Sequence, residues 1–232
     1  IKDELELPIA YGHMIQGMIY YNLKEVYDYS AYLHDKGVQY GQRKYKLFTF
    51  SLLRGKYYVK NKKIIFYENV ELEISSPDIF LMQILAAKIN NEGIWYGKNH
   101  YKEVEVYISD DTVECEQITI KMLSPVCAYS TDMKTGKTIY YSPKEEDFSR
   151  LINENFFRKY IACYGIMPES DIKINICKLT ENDKYVTKYK GIYVTAWMGE
   201  FELLGKRKYL DFLYQTGLGS KNAQGFGMFA IR

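Results

Sequence analysis

The stretch Gly217-Leu218-Gly219-Ser220-Lys221-Asn222-Ala223-Gln224-Gly225-Phe226-Gly227 is the part of this sequence best suited to hold an anion. It packs four glycines, a lysine and three amide or hydroxyl side chains into eleven residues. Glycine lets a backbone approach a ligand closely and turn its N–H groups toward a phosphate. Gly217, Gly219, Gly225 and Gly227 would supply that freedom, while Ser220, Lys221, Asn222 and Gln224 would supply donors. Two familiar phosphate loops are excluded. The G-x-x-x-x-G-K-[S/T] pattern is absent, and a dinucleotide fingerprint would need glycine where Asn222 stands. Both of those loops run from strand into helix, whereas the pattern here runs from helix into strand. A purely structural use, a helix C-cap followed by a glycine-relieved strand, fits the same spacing.

A second anion-seeking feature lies near the other end. Residues 36–63 contain Lys36, Arg43, Lys44, Lys46, Arg54, Lys56, Lys60, Lys62 and Lys63 and no acidic residue. The chain's net charge of +2 is therefore the sum of +9 in this segment and 2 − 9 = −7 elsewhere. Tyr40, Tyr45, Phe48, Phe50, Tyr57 and Tyr58 are interleaved with the cations. Basic charge attracts phosphates and aromatic faces stack unpaired bases. A strand pair with lysine-protected edges would show the same composition.

Proton-transfer groups are scarce. The histidines are His13, His34 and His100, too few and too scattered for a multi-histidine metal centre. Cys115, Cys127, Cys163 and Cys177 form no C-x-x-C pair and read as buried thiols of a reducing compartment. With 47% hydrophobic and 26% charged residues, the chain is globular rather than disordered or fibrous. No apolar run reaches the ~18–20 residues of a membrane span, and no signal peptide is expected.

The elements that must position these groups follow from periodicity. Residues 8–26 predict a helix, with Pro8 at its first position and Tyr11, Met14, Ile15, Met18, Ile19, Leu23 and Val26 on one face. A break at residues 28–30 precedes a short helix ending near Gly37. Strands are expected at 45–53 and 63–74, a helix from Pro77 to about Asn91, and strands at 94–97, 100–108 and 117–123. Past Ser124-Pro125 come strands at 126–131 and 138–142, a helix at 144–163, strands at 171–179 and 191–204, a helix at 206–216 and a strand at 225–231. The expectation is an α+β chain of two tandem ferredoxin-like βαββαβ domains, 1–124 and 125–232. Residues 1–7, short and charged, provide no convincing opening strand.

The glycine-rich tail resembles that of the CRISPR repeat-processing endoribonucleases, within the superfamily of repeat-associated RNA-binding proteins. Leu7-Pro8 with Gln16–Asn22, Tyr32–Gly37, Lys46–Ser51, and Gly191–Tyr193 with Ala196-Trp197 agree with that family. The likeness runs from about residue 7 to the end. It implies cleavage without a metal or other cofactor. A 2′-hydroxyl attacks the adjacent phosphate, leaving a 2′,3′-cyclic phosphate and a 5′-hydroxyl. Matched position by position, the catalytic residues are Tyr20, His34 and Lys46. His34 would act as general acid. Tyr20 would orient the 2′-hydroxyl rather than deprotonate it, since its ordinary pKa is ~10. Lys46 would stabilise the transition state, with Lys44 on the same strand face as its substitute.

Tyr20 and His34 are 14 residues apart in the sequence, or ~21 Å on one continuous helix. The break at 28–30 is therefore required for them to act together. His13, on a helical stripe with Gln16 and Tyr20, is an alternative acid or an RNA contact, and His100 is expected to be solvated. RNA contacts are assigned to Arg43, Lys44, Arg54, Lys56 and Lys60 and to the glycine-rich loop. Lys206–Lys208 would be either further contacts or solubilising charges. The expected partners are CRISPR repeat RNA and other CRISPR-associated proteins, for a cytoplasmic monomer or homodimer with no membrane contact. A non-catalytic RNA-binding subunit of an interference complex is the alternative, and a small-molecule enzyme or ligand-binding domain on the same scaffold is a third reading.

Overall fold

The computed structural model describes residues 4–23, 38–97, 99–189 and 191–232; His34 and the short helix expected before Gly37 lie outside them. The chain opens with a strand after all. Leu5–Pro8 (β1) alternates buried leucines with exposed positions and pairs antiparallel with Lys63–Phe66. Leu5 and Leu7 enter the core, and outward Glu6 pairs with Lys63. The charges that argued against a strand are its solvent face, the period-2 pattern of a half-buried sheet. Pro8 therefore ends a strand, and the helix begins later, at Gly12–Leu23 (α1).

Tyr57–Lys60 (β2) and Lys63–Phe66 (β3) form a hairpin. Its two turn residues, Asn61 and Lys62, both take positive φ, as a tight hairpin with the twist of its strands requires. The long strands expected at 45–53 and 63–74 are interrupted. Short hairpin strands Val38–Tyr40 and Arg43–Tyr45 pair with each other, while Thr49–Phe50 pairs with Ile74–Ser75. Helix Ile79–Glu92 (α2) is capped by the Asp78 carboxylate, which accepts from the Leu81 N–H at 3.0 Å. One core joins Leu5 and Leu7 to Ile15, Ile19, Phe48, Phe50, Phe66, Leu81 and Leu85.

The second core belongs to a complete four-stranded sheet. Gln117–Met122 (β4), helix Glu146–Tyr164 (α3), Lys173–Lys178 (β5), Glu200–Leu204 (β6), helix Arg207–Thr216 (α4) and Phe229–Ile231 (β7) follow in βαββαβ order. The strands lie in the order β5-β6-β4-β7, the ferredoxin-like arrangement. Gln117–Met122, read above as the end of the first unit, is thus the first strand of the second. It pairs with both β6 and β7. We accordingly propose a boundary before Gln117 rather than at Ser124-Pro125. The single strand expected at 191–204 is two. Ile192–Trp197 forms a hairpin with Lys184–Tyr189, and Gly199, at φ 122°, turns the chain into β6. Of the cysteines, Cys127 is buried, Cys163 half-buried, and Cys115 and Cys177 exposed, which corrects the expectation of four buried thiols.

Candidate active site

Helix α1 carries Tyr20 on a flank, where its ring meets Phe48 edge-on at 6.1 Å between centroids. Lys46 lies in the irregular segment between the 38–45 hairpin and Thr49, and its Nζ stands 4.9 Å from the Tyr20 ring centroid. The structure thus brings together two of the three residues expected to be catalytic. Burial, with a smaller contribution from Tyr189, raises the Tyr20 pKa above the ordinary phenol value. Its hydroxyl keeps its proton at neutral pH and can orient or donate, but is a poor base. Lys44 does not share the face of Lys46. The strand ends at Tyr45, so alternation stops there, and Lys44 is exposed while Lys46 is half-buried.

The glycine-rich loop reaches this place from the second unit. Gln16, one helical turn before Tyr20, donates to the Ala223 carbonyl at 2.5 Å and accepts from the Tyr189 hydroxyl. Thr49, three residues after Lys46, donates to the Phe226 carbonyl at 3.1 Å. The glycines are there for close approach. A Cβ on Gly225 would stand 2.5 Å from the Phe50 ring, and one on Gly227 would stand 2.0 Å from the Leu218 carbonyl oxygen. Both positions also hold positive φ.

The expectation that the loop offers its backbone N–H groups freely needs correcting. Those of Gly217, Leu218, Ser220, Gln224, Gly225, Phe226 and Gly227 donate to carbonyls of this chain. Gly217, Gly219, Asn222, Gly225 and Gly227 are buried. Ser220, Lys221 and Gln224 are half-buried, and Lys221 Nζ lies 4.7 Å from the centroid of the Tyr129 ring.

The basic segment divides in two. Arg43 and Lys44 are exposed on the hairpin strand Arg43–Tyr45, whose partner strand packs on α3. Arg54, Lys56 and Lys60 are not brought to the site. Arg54 pairs with Glu71 and Glu73, Lys56 pairs with Glu68, and Lys60 sits opposite Lys63 on the far hairpin. These acids stand on a neighbouring stretch of chain, so a count of charge along the sequence could not find them. Lys206 and Lys208 pair with Glu169, and Arg207 pairs with Glu114. That favours their solubilising reading. His13 is exposed and bonds the Ala10 carbonyl at 2.9 Å. His100 is stacked flat on Trp95, with centroids 4.1 Å apart, rather than simply solvated.

Sequence reasoning missed Lys159. It is buried on α3 behind the loop, and its Nζ donates to the Gly217 carbonyl at 2.6 Å and to Asn222 Oδ1 at 3.0 Å. A signal was present: Phe148, Ile152, Asn155, Phe156 and Lys159 share one inward stripe of α3, so a lysine falls where an apolar residue is expected. Among the described residues, no three His, Cys, Asp or Glu side chains gather as a metal-binding group. None of the described helices is long and apolar enough to cross a membrane.

The family model for the C-terminal part of CRISPR associated protein Cas6 matches residues 108–231, more than half of the chain. The chain belongs to the Cas6 family. A curated CRISPR-associated endoribonuclease Cas6 of Pyrococcus furiosus is 28% identical over 242 residues, covering 99% of this chain and 86% of its own length. A solved Cas6-related protein from Pyrococcus furiosus superposes with a TM-score of 0.80 at 18% identity, covering 100% of this chain and 94% of that one. A solved RAMP protein described as binding different RNA substrates gives a TM-score of 0.76 at 19% identity, with 99% and 98% covered. The structural likenesses establish the shared fold.

Proposed function

We propose that this protein is an endoribonuclease that cuts CRISPR precursor RNA within its repeats, without a metal, leaving 2′,3′-cyclic phosphate and 5′-hydroxyl ends. The observation that carries the reading is the cation of Lys46 poised over Tyr20 beside the glycine-rich loop, in a chain of the Cas6 family. Transesterification by a 2′-hydroxyl needs a proton acceptor, a proton donor and a cation for the charge on the phosphorane. Lys46 supplies the cation. Tyr20, held protonated by burial, donates a hydrogen bond that orients the ribose or a phosphate oxygen. The 2′ oxygen bonds to phosphorus as its proton passes to solvent water, and His34 gives its proton to the departing 5′ oxygen as the P–O bond breaks. Arg43, Lys44 and Lys221 line the approach for the RNA backbone. The curated relative's name, an endoribonuclease, supports the activity, and the RNA-binding RAMP protein of the same fold supports the substrate class.

The test is incubation with the repeat RNA encoded beside the gene, in excess EDTA. The wild type should cut once per repeat, and His34→Ala should bind without cutting, losing on the order of 10²–10⁴-fold in rate. Full-rate cutting by His34→Ala would remove His34 from the mechanism. Binding with no cutting by the wild type would assign the protein to the non-catalytic subunits instead.

A further inference from the structure

Lys159 takes no part in the chemistry above, yet it is built into the loop with care. The residue is 3% exposed. Its Nζ faces the Gly217 carbonyl at 2.6 Å, Asn222 Oδ1 at 3.0 Å and Thr216 Oγ1 at 3.4 Å. Thr216 gives its own hydrogen to the Phe212 carbonyl, so toward Lys159 it accepts. Asn222 sends its amide nitrogen to the Leu218 and Phe226 carbonyls, so the atom it turns to Lys159 is its oxygen. Three acceptors require three N–H donors, which only the ammonium form has.

Among the described residues, no carboxylate pairs with this cation. The strands packed on its helix, Val38–Tyr40 and Tyr129–Thr131, bring Tyr40 and Tyr129 and no acid, and the loop whose Gly217 and Asn222 it meets carries Lys221. On its own helix Arg158 is already paired with Glu154. The residue that meets Lys159 from α4, Thr216, is neutral. Burial alone pushes the Lys159 pKa down to about 7. A buried cation with no counter-ion is costly, and an anion nearby is strongly favoured across a low-dielectric layer.

The loop lies between that cation and solvent. Asn155, one turn before Lys159, donates to Ser220 Oγ at 3.3 Å. Lys221 takes the left-handed conformation at φ 64° and leads into the 3-10 turn Asn222–Gln224. A left-handed residue followed by helical ones forms a concave nest of successive N–H groups suited to an anion.

We propose that the counter-charge to Lys159 is a phosphate of the bound RNA seated on this loop, so that RNA binding and protonation of Lys159 are coupled. The inference rests on the RNA-processing reading above. Its sign follows from linkage. Below about pH 7 the free protein already holds the proton, so affinity is level. Above it the free protein sheds the proton and RNA must restore it, so affinity falls by up to about tenfold per pH unit.

The experiment uses the full chain and a repeat RNA whose nucleotide 5′ of the mapped cut is a 2′-deoxynucleotide, which blocks cleavage. His13, His34 and His100 are replaced by Asn so that imidazoles do not titrate. Affinity is measured from about pH 6.5 to 9, with proton uptake read by calorimetry in two buffers of different ionisation enthalpy. Uptake approaching one proton near pH 8 is expected. Lys159→Arg keeps the charge throughout and should bind with a flat pH profile and no uptake. Lys159→Met should bind weakly at every pH, also without uptake. Binding without uptake before Lys159 is altered, or uptake that persists in whichever Lys159 variant folds, overturns the inference and leaves RNA binding intact. No binding at any pH overturns the functional reading itself.

Discussion

The two halves of the molecule follow related plans but divide the labour. The second half is built on one four-stranded sheet, with two two-stranded hairpins beside it and both helices packed into a single core. Among the described residues, the first half has a three-stranded sheet and three separate two-stranded pieces, and it carries Tyr20 on α1 and Lys46 where its strands are interrupted. The regular half sends the glycine-rich loop across to hold the irregular half at Gln16, Thr49 and Phe50. The site is therefore a seam. We propose that one unit brings the reactive side chains and the other sets their places.

Five substitutions test that division. The largest effect is expected at Gly227. An alanine there would clash with the Leu218 carbonyl and must hold a positive φ, so Gly227→Ala should cost about 3 kcal/mol in denaturant unfolding and abolish cutting from a distance. Unchanged stability would mean the loop is not the frame. Lys46→Ala should lower the cleavage rate on the order of 10²-fold with little change in melting temperature. A matching loss of stability would make Lys46 structural.

Thr49→Val, on the seam itself, removes one hydrogen bond to Phe226 and leaves its carbonyl with less satisfaction. About 1 kcal/mol of stability should be lost, with a smaller fall in cutting rate. The smallest effect separates two cations that look alike in sequence. Lys221→Ala should reduce the salt dependence of RNA binding by a slope of roughly 0.7, the value for one single-strand phosphate contact. Arg54→Ala, bound to Glu71 and Glu73, should leave that slope unchanged.

Much of this was legible in the sequence, and the failures have physical causes. Helices α2, α3 and α4 stand near their expected places because their apolar positions recur at helical spacing. The glycine-rich loop declared itself by composition, although its glycines serve close packing more than free N–H groups. Leu5–Pro8 was missed because four alternating residues are too short a signal when two are charged or proline. Gln117–Met122 went to the wrong unit because strand partners are set by tertiary contact, which local pattern does not carry. The basic segment misled in part because net charge along the chain ignores acids such as Glu68, Glu71 and Glu73 that fold back onto it. His34 rests on its motif alone, since it lies outside the described residues.

We propose that this seam performs metal-free transesterification on repeat RNA. The most direct measurement is the end-group chemistry of the products formed from the neighbouring repeat RNA in excess EDTA. A 5′ product ending in a 2′,3′-cyclic phosphate and a 3′ product beginning with a 5′-hydroxyl are expected. Products carrying 5′-phosphate and 3′-hydroxyl ends, or cutting that stops when EDTA is added, would contradict it.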